Sequence, residues 1–87
     1  MSVFEHIFTA SDSFNLHIER VRGGFLALYR RTSGEGWDLL SSLPNYGAID
    51  VDVYNDRERE YKIVSDELPT LCKITFADGT VEDVEIV

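Results

Sequence analysis

Apolar residues recur at every second position along much of this chain, the period expected of strands that bury one face. The beat is clearest at Phe14, Leu16 and Ile18, which alternate with Asn15, His17 and Glu19. It returns over 48–54, where Ile49, Val51 and Val53 alternate with Asp50 and Asp52, and over 60–64, where Tyr61 and Ile63 alternate with Glu60 and Lys62. Cys72, Ile74 and Phe76 share a face of another run, while residues 3–9 and 25–29 are two further β-type stretches. Between the runs stand turn formers at short intervals: Ser11-Asp12-Ser13, Gly23-Gly24, Ser33 to Gly36, Pro44 to Gly47 and Asp78-Gly79.

This pattern predicts an all-β fold. About seven short antiparallel strands follow one another as hairpins and close into a small barrel or a two-layer sandwich, one compact acidic domain over residues 1–87. Gly23-Gly24 suits a two-residue hairpin that sets Ile18 opposite Tyr29 and Ala27 opposite Arg20. A loop from Asn55 to Arg59 keeps apolar residues on a common face by pairing Val53 with Tyr61, Val51 with Ile63 and Asp52 with Lys62. Around Asp78-Gly79 a last hairpin pairs Ile74 with Val84 and Cys72 with Ile86, with a bulge near Glu82. Residues 37–43 fit two templates. As a strand they align Trp37, Leu39 and Leu43; as a helix, Trp37, Leu40 and Leu43. A helix this short is marginal without strong packing, so the strand is preferred. The alternative is an α+β fold with one short helix at 37–43 or 65–71.

Composition supports a folded domain: 44% of residues are hydrophobic, with five Phe, four Tyr and one Trp. No apolar run approaches the roughly 20 residues that span a bilayer, and the first residues have no basic leader. Cys72 is the one cysteine, so no internal disulfide can form. A cytoplasmic protein that does not engage membranes is expected.

Charge sharpens the picture. The net charge is −8. Residues 1–47 hold five acids against four bases, whereas residues 48–87 hold eleven against four. Such a field repels phosphate and attracts basic surfaces, so direct nucleic-acid binding is not expected and a protein partner with a basic surface is. Acidity also simply keeps small proteins soluble, which is its commoner meaning.

Catalytic and metal chemistry finds little to work with. Cys72 lies among alternating apolar residues and reads as a buried core thiol, not a nucleophile. His6 alternates with Phe4 and Phe8 and reads as a satisfied core histidine; His17, among polar alternates, reads as exposed. One cysteine and two histidines cannot make a zinc site at the usual spacing. Asp50-x-Asp52 with Asn55 and Asp56 lacks the glycine and terminal glutamate of an EF-hand loop. Gly34-Glu35-Gly36 lacks the further glycine and the lysine of a phosphate loop. No catalytic residue, cofactor or metal is assigned, and an enzyme is not expected.

Two constellations remain as partner-binding candidates. The first is acidic: Asp50, Asp52, Asp56, Glu58 and Glu60, within a set extending through Asp66, Glu67, Asp78, Glu82, Asp83 and Glu85. On adjoining strands about 4.8 Å apart, carboxylates can imitate a row of phosphates. The second joins Tyr29, Arg30 and Trp37 to Arg20, Arg22 and Arg31, the residue types enriched at interface hot spots. A basic patch on an acidic molecule also allows head-to-tail homo-oligomers. The leading expectation is a non-enzymatic protein–protein interaction module, a small accessory or regulatory protein. The alternative is an acidic inhibitor that mimics nucleic acid and blocks a DNA- or RNA-handling enzyme, of the phage anti-defence type.

Overall fold

The computed structural model describes residues 3–44 and 47–86. The turn expected at 44–47 therefore falls partly outside the described residues, as does Val87 at the end of the last expected strand. Among the described residues eight antiparallel strands form two four-stranded sheets stacked as a sandwich: β1 (Phe4–Ala10), β2 (Phe14–Arg20), β3 (Leu26–Arg31), β4 (Asp38–Ser42), β5 (Gly47–Val53), β6 (Arg59–Ser65), β7 (Leu71–Phe76) and β8 (Val81–Asp83). Sheet A has the order β1-β6-β3-β4 and sheet B the order β5-β2-β7-β8. The all-β class follows from the alternation, and residues 38–42 take the strand option rather than the helix.

The strands do not follow one another as hairpins. Only β3–β4 and β7–β8 are sequential neighbours within a sheet, and the other connections carry the chain from one sheet to the other. Ile18 accordingly lies opposite Ile49 and Cys72, not Tyr29. Val53 lies opposite Phe14, Val51 opposite Leu16 and Asp52 opposite Asn15, so their expected pairing with β6 is replaced. The expected faces survive, because a two-residue period fixes which side chains turn inward whichever strand supplies the partner.

Two turns explain the revised pairing. Gly23 and Gly24 do not have positive φ. They are glycines for lack of space: a Cβ at Gly23 would overlap the Arg20 guanidinium, and one at Gly24 the Asp66 carboxylate. Arg20 is the reason. Its side chain is fully buried, where Nη1 donates to Phe25 O (3.0 Å), Ser65 Oγ (3.0 Å) and Asp66 Oδ1 (3.3 Å), and Nη2 to Pro44 O (3.0 Å). One buried cation thus holds three connections at this end of the sandwich, where a surface arginine was expected. Burial raises the Asp66 carboxyl, but hydrogen bonds from the Phe25 and Gly24 amides outweigh it and hold the group below its usual range.

In the last hairpin, Gly79 has φ +91° and its amide donates to Phe76 O (2.9 Å), while Phe76 N donates to Thr80 O (2.8 Å). This three-residue loop pairs Ile74 with Glu82 and Lys73 with Asp83. The expected register, with Ile74 opposite Val84, is corrected by two residues.

Between the sheets lies one apolar core. Leu16, Ile18, Leu28, Tyr61, Ile63 and Ile74 are completely buried. Each aliphatic side chain contributes on the order of 1.5–3 kcal/mol by leaving water. Phe14 packs edge-on against Tyr61 (4.8 Å between centroids) and Phe8 (5.2 Å), with Phe76 beside them. At the opposite end from Arg20, the buried Asn55 side chain donates to Ala10 O (2.9 Å) and Asp12 O (3.3 Å) and accepts from Arg59 (3.1 Å). It anchors the β5–β6 crossing that replaces the expected hairpin loop.

Candidate interaction surfaces

Alternation leaves each sheet with an outward face, and the two faces differ. On sheet A the cross-strand register aligns Ile7, Lys62, Tyr29 and Leu39 in one row over all four strands. Ile7 is 47% and Leu39 58% exposed. Trp37 lies beside this row, half-buried. The Lys62 Nζ sits 5.1 Å from the Tyr29 ring and 4.8 Å from the Trp37 ring, and the Arg31 guanidinium lies 4.3 Å from Trp37. Glu60 accepts from Arg31 Nε at 2.6 Å. The cations therefore lie against the aromatic rings and help to hold them in place.

Sheet B turns a polar row outward: Asp50, His17, Lys73 and Asp83. His17 is half-buried rather than exposed, because Nε2 meets Glu19 Oε2 at 2.8 Å and Nδ1 meets Asp50 Oδ2 at 3.1 Å. The Glu19 hydrogen bond first, and the Asp50 bond after it, raise the histidine above its ordinary 6.5. Asp52 accepts from Asn15 Nδ2 (3.0 Å) in the neighbouring row.

The two expected constellations fare differently. Tyr29 and Trp37 come together on the outer face of sheet A. Arg30 does not join them: it turns toward the sandwich interior with Leu28 and lines the cleft between β4 and β5. Arg20 is buried at one end, and Arg22 pairs with Glu67 (3.7 Å) nearby. The acids are dispersed. Asp50 and Asp52 belong to sheet B and Glu60 to sheet A, while Asp56 and Glu58 occupy the β5–β6 connection. Asp56 accepts from Arg59 (3.0 Å), and this hydrogen bond holds its carboxyl below the usual value. Asp50, Asp52, Asp56 and Glu60 thus each have a partner within the molecule.

Ile7, Leu39 and Lys62 were not among the expected partner-binding residues. The signal was present for Ile7, since it falls out of phase with the inward series Phe4, His6 and Phe8. For Leu39 the face depends on a register shift in the β3–β4 pairing beside Tyr29.

The remaining chemistry is quiet. Cys72 is buried on the inner face, where desolvation, with a smaller effect of the Glu82 charge, pushes its thiol up to about 12. His6 closes the β1–β8 side by meeting Glu82 Oε2 at 2.7 Å. Among the described residues no three His, Cys, Asp or Glu side chains cluster to hold a metal ion, and no helix is long and apolar enough to cross a membrane. Fold and surfaces together define a two-layer antiparallel β-sandwich with one apolar–aromatic and one charged outer face. No family model, curated protein or solved structure matches this chain.

Proposed function

We propose that this protein is a non-catalytic interaction module that binds a protein partner through the outer face of sheet A. The observation that carries this reading is the row Ile7–Lys62–Tyr29–Leu39 with Trp37 beside it. Two exposed aliphatic side chains flank two aromatic rings whose positions are held by cations. Aromatic residues and arginine are enriched in interface centres, and rigid rings lose little conformational entropy on binding. The partner offers an apolar patch to this row and a basic rim to the acidic remainder of the molecule. The intracellular, regulatory setting expected from composition belongs to the same proposal.

The nucleic-acid mimic draws less support, because four of its five carboxylates are engaged within the molecule and the set is divided between the two sheets and the β5–β6 connection. One experiment separates the two readings. The protein captures partners from a lysate of its source organism at low and high salt, with and without added DNA or RNA. A partner that survives salt, ignores nucleic acid and is lost with Trp37→Ala and with the exposed Leu39→Ser supports the proposal. Capture that vanishes in salt, is competed by nucleic acid and is lost on neutralising Asp50, Asp52 and Glu58 overturns it in favour of the mimic.

A further inference from the structure

The two long sides of the sandwich are finished differently. The β1–β8 side is closed by His6 and Glu82. The β4–β5 side is open, and a cleft of about 370 Å³ enters there between the sheets. Leu28, Leu40, Val51 and Val53 make its apolar walls, with Arg30 and Asp52 as its charged residues. Binding sites for small molecules typically begin at roughly this size, apolar with a few convergent polar groups.

Arg30 is the informative residue. The chain has 16 acids for 8 bases. Every other arginine has a carboxylate within 4.0 Å: Arg20 with Asp66, Arg22 with Glu67, Arg31 with Glu60, and Arg57 and Arg59 with Asp56. Among the described residues Arg30 has neither such a carboxylate nor a side-chain hydrogen bond. Asp52, in the same cleft, is engaged by Asn15. The cleft therefore joins an apolar wall to a guanidinium whose donors are uncommitted among the described residues.

We infer that the β4–β5 cleft binds a small carboxylic acid carrying an apolar chain, a fatty acid of medium length being the simplest case. The chain lies against Leu28, Leu40, Val51 and Val53, and the carboxylate takes two parallel hydrogen bonds from Arg30. This site is separate from the sheet A face, which uses the opposite surface of β3.

Octanoate titrated into the labelled protein tests this by amide chemical shifts. Saturable changes confined to β3, β4 and β5 around Arg30 are expected. Arg30→Gln should weaken binding roughly ten- to a hundredfold, the range for hydrogen bonds to a charged group. Octanol should bind more weakly than octanoate by a similar factor. Among the described residues Arg30 has no partner to strand, so Arg30→Gln should keep the wild-type dispersion of resonances. Val51→Asp is a second variant, expected to abolish binding by charging the wall. Equal binding of octanol and octanoate, unchanged affinity in Arg30→Gln, shifts centred elsewhere, or no saturable shift each overturns the inference.

Discussion

Sheet A turns Ile7, Lys62, Tyr29 and Leu39 outward along one row; sheet B turns Asp50, His17, Lys73 and Asp83 outward along the equivalent row. Both rows stand on strands of the same alternating type and share one core. On sheet B charge alternates with charge across the strands, a face whose water is simply retained. On sheet A aliphatic and aromatic surface stays partly exposed, and cations lie on the rings instead of meeting a row of carboxylates. Alternation decides which residues face out; only the lateral pairing decides whether they form a polar lattice or an apolar patch.

Because the faces share a core, the largest perturbation should remove both together. Phe14 is buried and contacts Phe8, Tyr61 and Phe76, so it joins the two sheets. Phe14→Ala should cost about 3–5 kcal/mol. That is a large share of the roughly 5–15 kcal/mol available to a domain. Denaturant unfolding followed at Trp37 on sheet A, and by amide exchange on sheet B, should show one coincident transition shifted by that amount. Separate transitions for the two sheets would mean that each face is held by its own sheet.

A smaller effect distinguishes the faces. Lys62 contacts two aromatic rings, whereas Lys73 has no carboxylate within 4.0 Å and no ring contact among the described residues. Lys62→Ala should cost about 0.5–1 kcal/mol through lost cation–π and packing contacts. Lys73→Ala should stay within about 0.5 kcal/mol of wild type. Equal costs in urea unfolding would show that the rings of sheet A gain nothing from their cations.

How far the sequence foretold this surface depends on which interactions were local. The inward series Phe14–Leu16–Ile18, Ile49–Val51–Val53 and Cys72–Ile74–Phe76 could be read directly, because period needs no partner. Pairing could not. Short turns suggested hairpins, but Gly23-Gly24 is shaped by Arg20 and Asp66, residues 3 and 42 positions away from the nearer glycine. A buried arginine held mostly by carbonyls and a hydroxyl leaves no mark in local sequence. Tyr29 and Trp37 were legible as residue types, yet their setting was not, since Lys62 reaches them from a strand more than twenty residues away. Arg30 was singled out for its type; its inward direction and lack of a carboxylate emerge only from the stacking of the sheets.

The smallest effect belongs to His17 and tests whether the polar row of sheet B is an electrostatic lattice or a set of solvated neighbours. The groups facing the imidazole are Glu19 on its own strand, Asp50 on β5 and Lys73 on β7. The two carboxylates raise its pKa above the 6.5 expected in the unfolded chain. Folding therefore favours the protonated imidazole. Its stabilisation is fully present below pH 6.5 and is lost as pH rises through the higher folded value. The lowered carboxyls of Asp56, Asp66 and Asp78 act in a separate window, losing their contribution only as pH falls below the ordinary 3.8. Between pH 6 and 8 the melting temperature of the wild type should thus fall relative to His17→Gln, and Asp50→Asn should flatten part of that difference. Parallel curves for wild type and His17→Gln would leave the histidine uncoupled from its carboxylates, and the contrast between the faces would then rest on sheet A alone.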